Sequence, residues 1–141
     1  MEASHLPVTW FGLTPADMDE TARLVLTGDK RATTALLAAY AADREPLPQV
    51  GQRSLVRDGR GRDIAIIETT RTETRRYADV DEAYARVEGE GDKTLACWQG
   101  VHWAYLTSEC ARIGLPAPTP ATEVLLEYFT VVQPFLDLKD F

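Results

Sequence analysis

The first third of this chain is organised around a helix whose two ends are both written into the sequence. Thr14 is a helix-capping residue, Pro15 suits the first helical position, and Asp17 completes a capping-box-like pair with Thr14. Met18, Ala22, Val25 and Leu26 recur at helical spacing, and Gly28 is the natural left-handed residue beyond the last turn. The backbone therefore leaves this helix at a set place, carrying Gly28-Asp29-Lys30-Arg31-Ala32-Thr33 with it. The Ala- and Leu-rich run from Ala32 to Ala42 reads as a second, short helix. On that reading Lys30 and Thr33 lie on one side of its first turn, an amine beside a hydroxyl.

A second segment has complementary chemistry. Glu88-Gly89-Glu90-Gly91-Asp92 places carboxylates on glycine-broken backbone. An amine can activate a neighbouring hydroxyl nucleophile, and a carboxylate can orient it or relay its proton. Lys30, Thr33 and Glu90 or Glu88 are thus the parts of a hydrolytic site, if the fold joins the two segments. A plainer reading stands beside this one. Lys30 complements the C-terminus of the first helix, Thr33 caps a helix, and Glu88, Glu90 and Asp92 form a solvated loop, Asp92 capping the helix that follows. In either case Lys30 and Thr33 sit at a turn with no apolar burden.

At 141 residues the chain makes one domain with a real core, and its 45% hydrophobic and 26% charged content is ordinary for a globular protein. The net charge of −7 argues against broad, charge-driven nucleic-acid binding, which needs many cations on phosphates. It leaves room for a local groove, and Arg71, Arg75 and Arg76 cluster in sequence, as do Arg53, Arg57, Arg60 and Arg62. Met1-Glu2-Ala3-Ser4-His5-Leu6-Pro7 has no basic region followed by an apolar block, so no leader peptide is expected. No run is long and apolar enough to span a bilayer. Cys97 and Cys110 suit two reduced thiols in a cytoplasmic protein. The His and Cys spacings match no metal site, and no phosphate or dinucleotide loop is present, so neither metal nor cofactor is expected.

Beyond Pro46-Leu47-Pro48, a strand is expected over 54–57, a hairpin turn at Asp58-Gly59-Arg60-Gly61, and a partner strand over 63–72. A helical patch follows at 79–87, a longer helix at 93–113, and a closing strand at 124–132, with a loosely docked tail. The long helix carries Leu95, Trp98, Val101 or His102, and Tyr105 at helical spacing. Trp98, His102, Trp103 and Tyr105 admit a base-stacking surface, but the same spacing makes Trp98 and Tyr105 core, with His102 partly buried and hydrogen-bonded.

The order of these features resembles a known family. The capped helix leads to Gly28-x-Lys30-x-x-Thr33, then Leu47-Pro48-x-Val50-Gly51, a hairpin, Thr69-Thr70, and Glu88-Gly89-Glu90-Gly91-Asp92 before the helix bearing Trp98, His102 and Trp103. This pattern is similar to the ASCH domain family, a relative of the PUA-like RNA-binding barrels, over nearly the whole chain. The resemblance implies an α+β fold: a small PUA-like β-barrel with helices packed around its openings, as one domain over 9–133 with a tail over 134–141. It implies an RNA or nucleoside partner and no membrane partner; the oligomeric state is left open.

Some members resemble single-stranded ribonucleases, and a smaller relative is an amidohydrolase that deacetylates N4-acetylcytidine with a Lys, a Thr and a Glu. Those residues map onto Lys30, Thr33 and, best, Glu90, with Glu88 the second choice. Thr34, Tyr40, Glu88, Trp98, His102 and Trp103 are the candidate substrate contacts around them. The broader pattern Gly-x-Lys-x-x-Glu-x-Arg is not kept here, since Thr33 stands for the acid and Ala35 for the arginine. That departure favours a nucleophile over a phosphate clamp. The expectation is a hydrolase of RNA or a modified nucleoside, ribonuclease-like or amidohydrolase-like; the alternative is a non-catalytic RNA-binding or regulatory module.

Overall fold

A computed structural model describes residues 5–141; residues 1–4, part of the stretch in which no leader was expected, lie outside the described residues. Among the described residues, five strands and four α-helices follow in this order: β1 Val8–Thr9, α1 Pro15–Thr27, β2 Ala32–Leu36, α2 Leu37–Ala42, β3 Arg53–Arg57, β4 Asp63–Arg76, α3 Glu82–Glu88, α4 Leu95–Arg112 and β5 Glu123–Pro134. The strands form one sheet in the order β1-β3-β4-β5-β2, with β1 parallel to β3 and the other pairs antiparallel.

Helix α1 starts and stops where its caps require. The Thr14 side chain accepts from the Asp17 amide, Pro15 occupies the first turn, and Gly28 takes φ +90° as its C-cap. The expected hairpin is present, with Gly61 N–H donating to Asp58 O and both Arg60 and Arg62 N–H groups bound by Asp58 Oδ1. Helices α3 and α4 also occur close to their expected places.

Three expectations are corrected. First, the run from Ala32 is not helical at its start: Ala32–Leu36 is a strand paired with β5, and only Leu37–Ala42 is a helix. Cross-strand pairing of Ala32, Thr34 and Leu36, all buried, with Tyr128, Leu126 and Val124 overrides the local helix preference of Ala and Leu. Lys30 and Thr33 therefore do not share a helical turn. Second, the sheet is not closed into a barrel. Its edge strands are β1, only two residues long, and β2, and side chains rather than β1 meet the edge of β2. Lys30 Nζ donates to Ala32 O at 2.8 Å, and the Leu36 amide donates to Tyr105 Oη at 3.3 Å. Third, the tail is tied down: the Phe135 amide donates to Ile64 O, and Arg62 lies over the Phe141 ring.

Two apolar clusters pack on the sheet. One joins α3 and α4 to β2 and β5 through Tyr84, Trp98, Leu106, Leu36 and Leu126. The other joins α1 to β3, β4 and β5 through Val25, Val56, Ile64, Ile67 and Phe129. A cleft of about 1100 Å³ opens where α1, β2, the α3–α4 loop and the loop after α2 converge.

Candidate active site

The two segments singled out in the sequence meet. The Arg31 amide donates to Val87 O at 2.8 Å, and Lys93 Nζ pairs with Asp29 Oδ1 at 2.8 Å, docking the acidic loop on the Gly28-x-Lys30 segment. Gly89 makes this contact possible. It caps α3 at φ +76°, and a Cβ there would overlap the Asp29 carbonyl. The reversal at Gly89 buries Glu88 and leaves Glu90 partly exposed, and both line the cleft.

Lys30 is 0% exposed. Its Nζ donates to Ala32 O and to Glu90 Oε2, each at 2.8 Å, and lies 3.5 Å from Glu88 Oε2 and 5.1 Å from the centre of the Phe11 ring. Two hydrogen bonds and a longer ion pair to Glu88 thus surround the ammonium. This side chain is held inside the fold rather than at an open turn. It also carries a folding role that a turn lysine does not suggest.

The two carboxylates have different environments. Glu88 Oε1 accepts from Thr34 Oγ1 at 2.6 Å and from Trp98 Nε1 at 2.8 Å; Oε2 accepts from His102 Nε2 at 3.0 Å and faces Lys30. Burial alone would raise this carboxyl, but the Lys30 and His102 charges and the hydrogen bonds from His102 and Thr34 hold it well below the usual range. His102 meets an acceptor at each nitrogen, Trp98 O at 2.8 Å from Nδ1 and Glu88 at Nε2, an arrangement that suits the imidazolium. Burial opposes that charge, yet Glu88 lifts the imidazole above its ordinary value. Glu88 is therefore saturated, and it organises the site from behind. Glu90 is partly exposed, bound through Oε2 alone, and its Oε1 has no partner among the described residues. Of the two expected candidates, Glu90 is the one with an oxygen that is not hydrogen-bonded among the described residues.

Thr33 lines the cleft, and its hydroxyl makes no hydrogen bond among the described residues. Thr34, Tyr40 and His102 line it too, although the Thr34 hydroxyl is spent on Glu88. Trp98 is 5% exposed, stacked on His102 at 4.3 Å, and reaches the site only through its bond to Glu88. Trp103 packs on Tyr77 at 5.1 Å and is not among the residues lining the cleft. The clustered arginines are not a free basic groove. Arg53, Arg57 and Arg60 pair with Glu68, Asp63 and Asp19, Arg62 with Asp58, Arg71 and Arg75 with Glu73, and Arg76 with Asp79.

Glu127 was not among the expected site residues. It lies on β5 directly opposite Thr33, lines the cleft, and accepts from Thr69 Oγ1 at 2.6 Å. A signal was present: it is the one acid inside Val124-Leu125-Leu126-Glu127-Tyr128-Phe129, where an uncompensated charge is costly.

An α+β domain with an open five-stranded sheet and a buried Lys–Glu centre beside a cleft is the class of protein that this fold and site define. A model of the ASCH domain matches residues 8–133. The chain belongs to the ASCH domain family. It is similar to an ASCH domain from Lactobacillus crispatus at 35% identity and a TM-score of 0.86, covering 90% of this chain and 79% of that one. A protein from Enterococcus faecalis is 29% identical with a TM-score of 0.84, over 96% of this chain and 81% of that one. An ASCH protein from Zymomonas mobilis, at 12% identity and a TM-score of 0.54 over 94% and 73% of the two chains, shares the fold. No functionally curated protein matches the chain. Among the described residues, no helix is long and apolar enough to cross a membrane.

Proposed function

We propose that this protein is a cytoplasmic hydrolase of RNA or a modified nucleoside, and that the chemistry its site fits best is removal of an acyl group from a nucleobase amine. The observation that carries this reading is the Lys30–Glu90 contact of 2.8 Å at the end of the strand that presents Thr33 to the cleft. Thr33 is the nucleophile, attacking the acyl carbon through a hydroxyl that no other group occupies among the described residues. Lys30 acts as a preorganised positive charge, worth more in a dry interior than in water because no solvent must reorganise around it. It also fixes Glu90, whose unpartnered oxygen orients the substrate amide.

The test uses N4-acetylcytidine and a short single-stranded RNA as substrates. Parent protein should hydrolyse the acetylated nucleoside, and Thr33→Val should lose that activity by several orders of magnitude while folding normally. Full activity in Thr33→Val excludes the hydroxyl as nucleophile. Cleavage of the RNA alone moves the chemistry to phosphodiester hydrolysis. A parent that hydrolyses neither, yet binds RNA with an affinity that falls steeply with salt, is a non-catalytic binding module.

A further inference from the structure

Thr33 needs a group to receive its proton, and in the two segments that built the site only Glu90 keeps an open oxygen, the one that orients the substrate amide in the reading above. The Lys30 ammonium already faces Ala32 O, Glu90 and Glu88, and Glu88 already accepts from Thr34, Trp98 and His102. The side chain opposite Thr33 has one oxygen without such a commitment. Glu127 is the cross-strand partner of Thr33, and residues directly opposite in antiparallel strands project to the same face with Cβ atoms about 5 Å apart. Both line the cleft. Thr69 holds Glu127 Oε2 at 2.6 Å, which fixes the carboxyl, while Oε1 has no partner among the described residues.

We propose that Glu127 is the general base of this site. The inference rests on the acyl-hydrolase reading above. As Thr33 Oγ bonds to the acyl carbon, its proton passes to Glu127 Oε1. When the carbon–nitrogen bond breaks, the protonated Glu127 gives that proton to the departing amine, leaving an ester on Thr33. Water then attacks the ester, its proton again taken by Glu127 and returned to Thr33 Oγ as the carboxylic acid leaves. Atoms and charge balance without a metal or redox partner.

The surroundings suit this task. Burial raises the Glu127 carboxyl above the ordinary carboxylate range, and the Thr69 hydrogen bond offsets part of that rise. A base poised nearer neutral pH transfers protons in both directions efficiently. The ionisable neighbours are phenols, Tyr40 from α2 and Tyr84 from α3, with Glu45 and Tyr105 beyond Tyr40. No Lys or Arg pairs with Glu127 among the described residues.

The test measures kcat/KM against pH with N4-acetylcytidine for the parent, Glu127→Gln, Glu90→Gln and Thr69→Val. The parent should show an acid limb displaced above the ordinary carboxylate range. Glu127→Gln, which keeps the side-chain shape and can still accept from Thr69, should lose roughly 10²–10⁴-fold in rate together with that limb. Thr69→Val should move the limb to higher pH, a shift that a merely structural role would not give. Activity within threefold of the parent in Glu127→Gln, or an acid limb lost instead in Glu90→Gln, overturns the proposal while leaving the hydrolase reading intact. A parent that turns over no acylated nucleoside overturns both.

Discussion

Trp98 donates its indole N–H to Glu88 Oε1 at 2.8 Å, so a core side chain on α4 is hydrogen-bonded to the carboxylate that backs the site. Through Glu88 the same contact reaches Thr34 on β2, His102 on α4 and Lys30. The packing of the apolar cluster that joins α3 and α4 to the sheet and the alignment of the site are thereby one arrangement.

Trp98→Ala is expected to cost about 3–5 kcal/mol, the usual penalty for deleting a buried large aromatic, and to leave Glu88 short of a donor. Urea denaturation checks it. Melting like the parent, coupled with lost nucleoside affinity, would instead make Trp98 a stacking platform.

Lys30→Met is expected to destabilise by about 3–5 kcal/mol, because it strands Glu88 and Glu90 near the interior without their cation. The expectation that Lys30 carries no folding burden is thus reversed by its burial. Thr33→Val should stay within about 0.5 kcal/mol of the parent, as the site is partly exposed and the shape is kept. Equal melting temperatures for the two variants would contradict the ion cluster.

The cluster predicts a bell-shaped stability profile. Glu88 titrates below its usual 4.5 in the fold, so its contribution is present above that pH and drains away as acidification protonates it. His102 titrates above its usual 6.5, so its contribution is present below that pH and is lost as the solution is made alkaline through its raised value. Melting temperature should therefore peak between about pH 4.5 and 6.5 for this cluster. His102→Gln should flatten the alkaline fall; an unaltered fall in that variant rejects the assignment.

Gly89→Ala is expected to disrupt the site more than its single methyl suggests. The residue is at φ +76°, and its Cβ would meet the Asp29 carbonyl, which is backbone and cannot rotate away. Loss of both stability and hydrolysis is expected, measured by thermal melting and turnover. An alanine variant with parental melting would mean that the acidic loop can seat differently.

Much of this protein was readable locally. Thr14, Pro15 and Gly28 bound α1 because caps act within one turn of backbone, and the Asp58–Gly61 turn depends on neighbours a few residues apart. The stripe through Trp98 and His102 marked the buried face of α4 for the same reason, since helical periodicity is local. What the local signals missed depends on distant partners. The start of the Ala32–Ala42 run is a strand because β5 pairs with it, and no propensity of its own residues encodes that partner. At the open edge of β2, Lys30 and Tyr105 come from outside the sheet to bind backbone groups that a further strand would pair. Lys30 looks like a surface cation until Glu90, sixty residues on, and Glu88 surround it, and burying a charge is tolerable only with such partners. Glu127 stands opposite Thr33 only through strand register, which is set by the burial of the whole strand and by no motif around either residue.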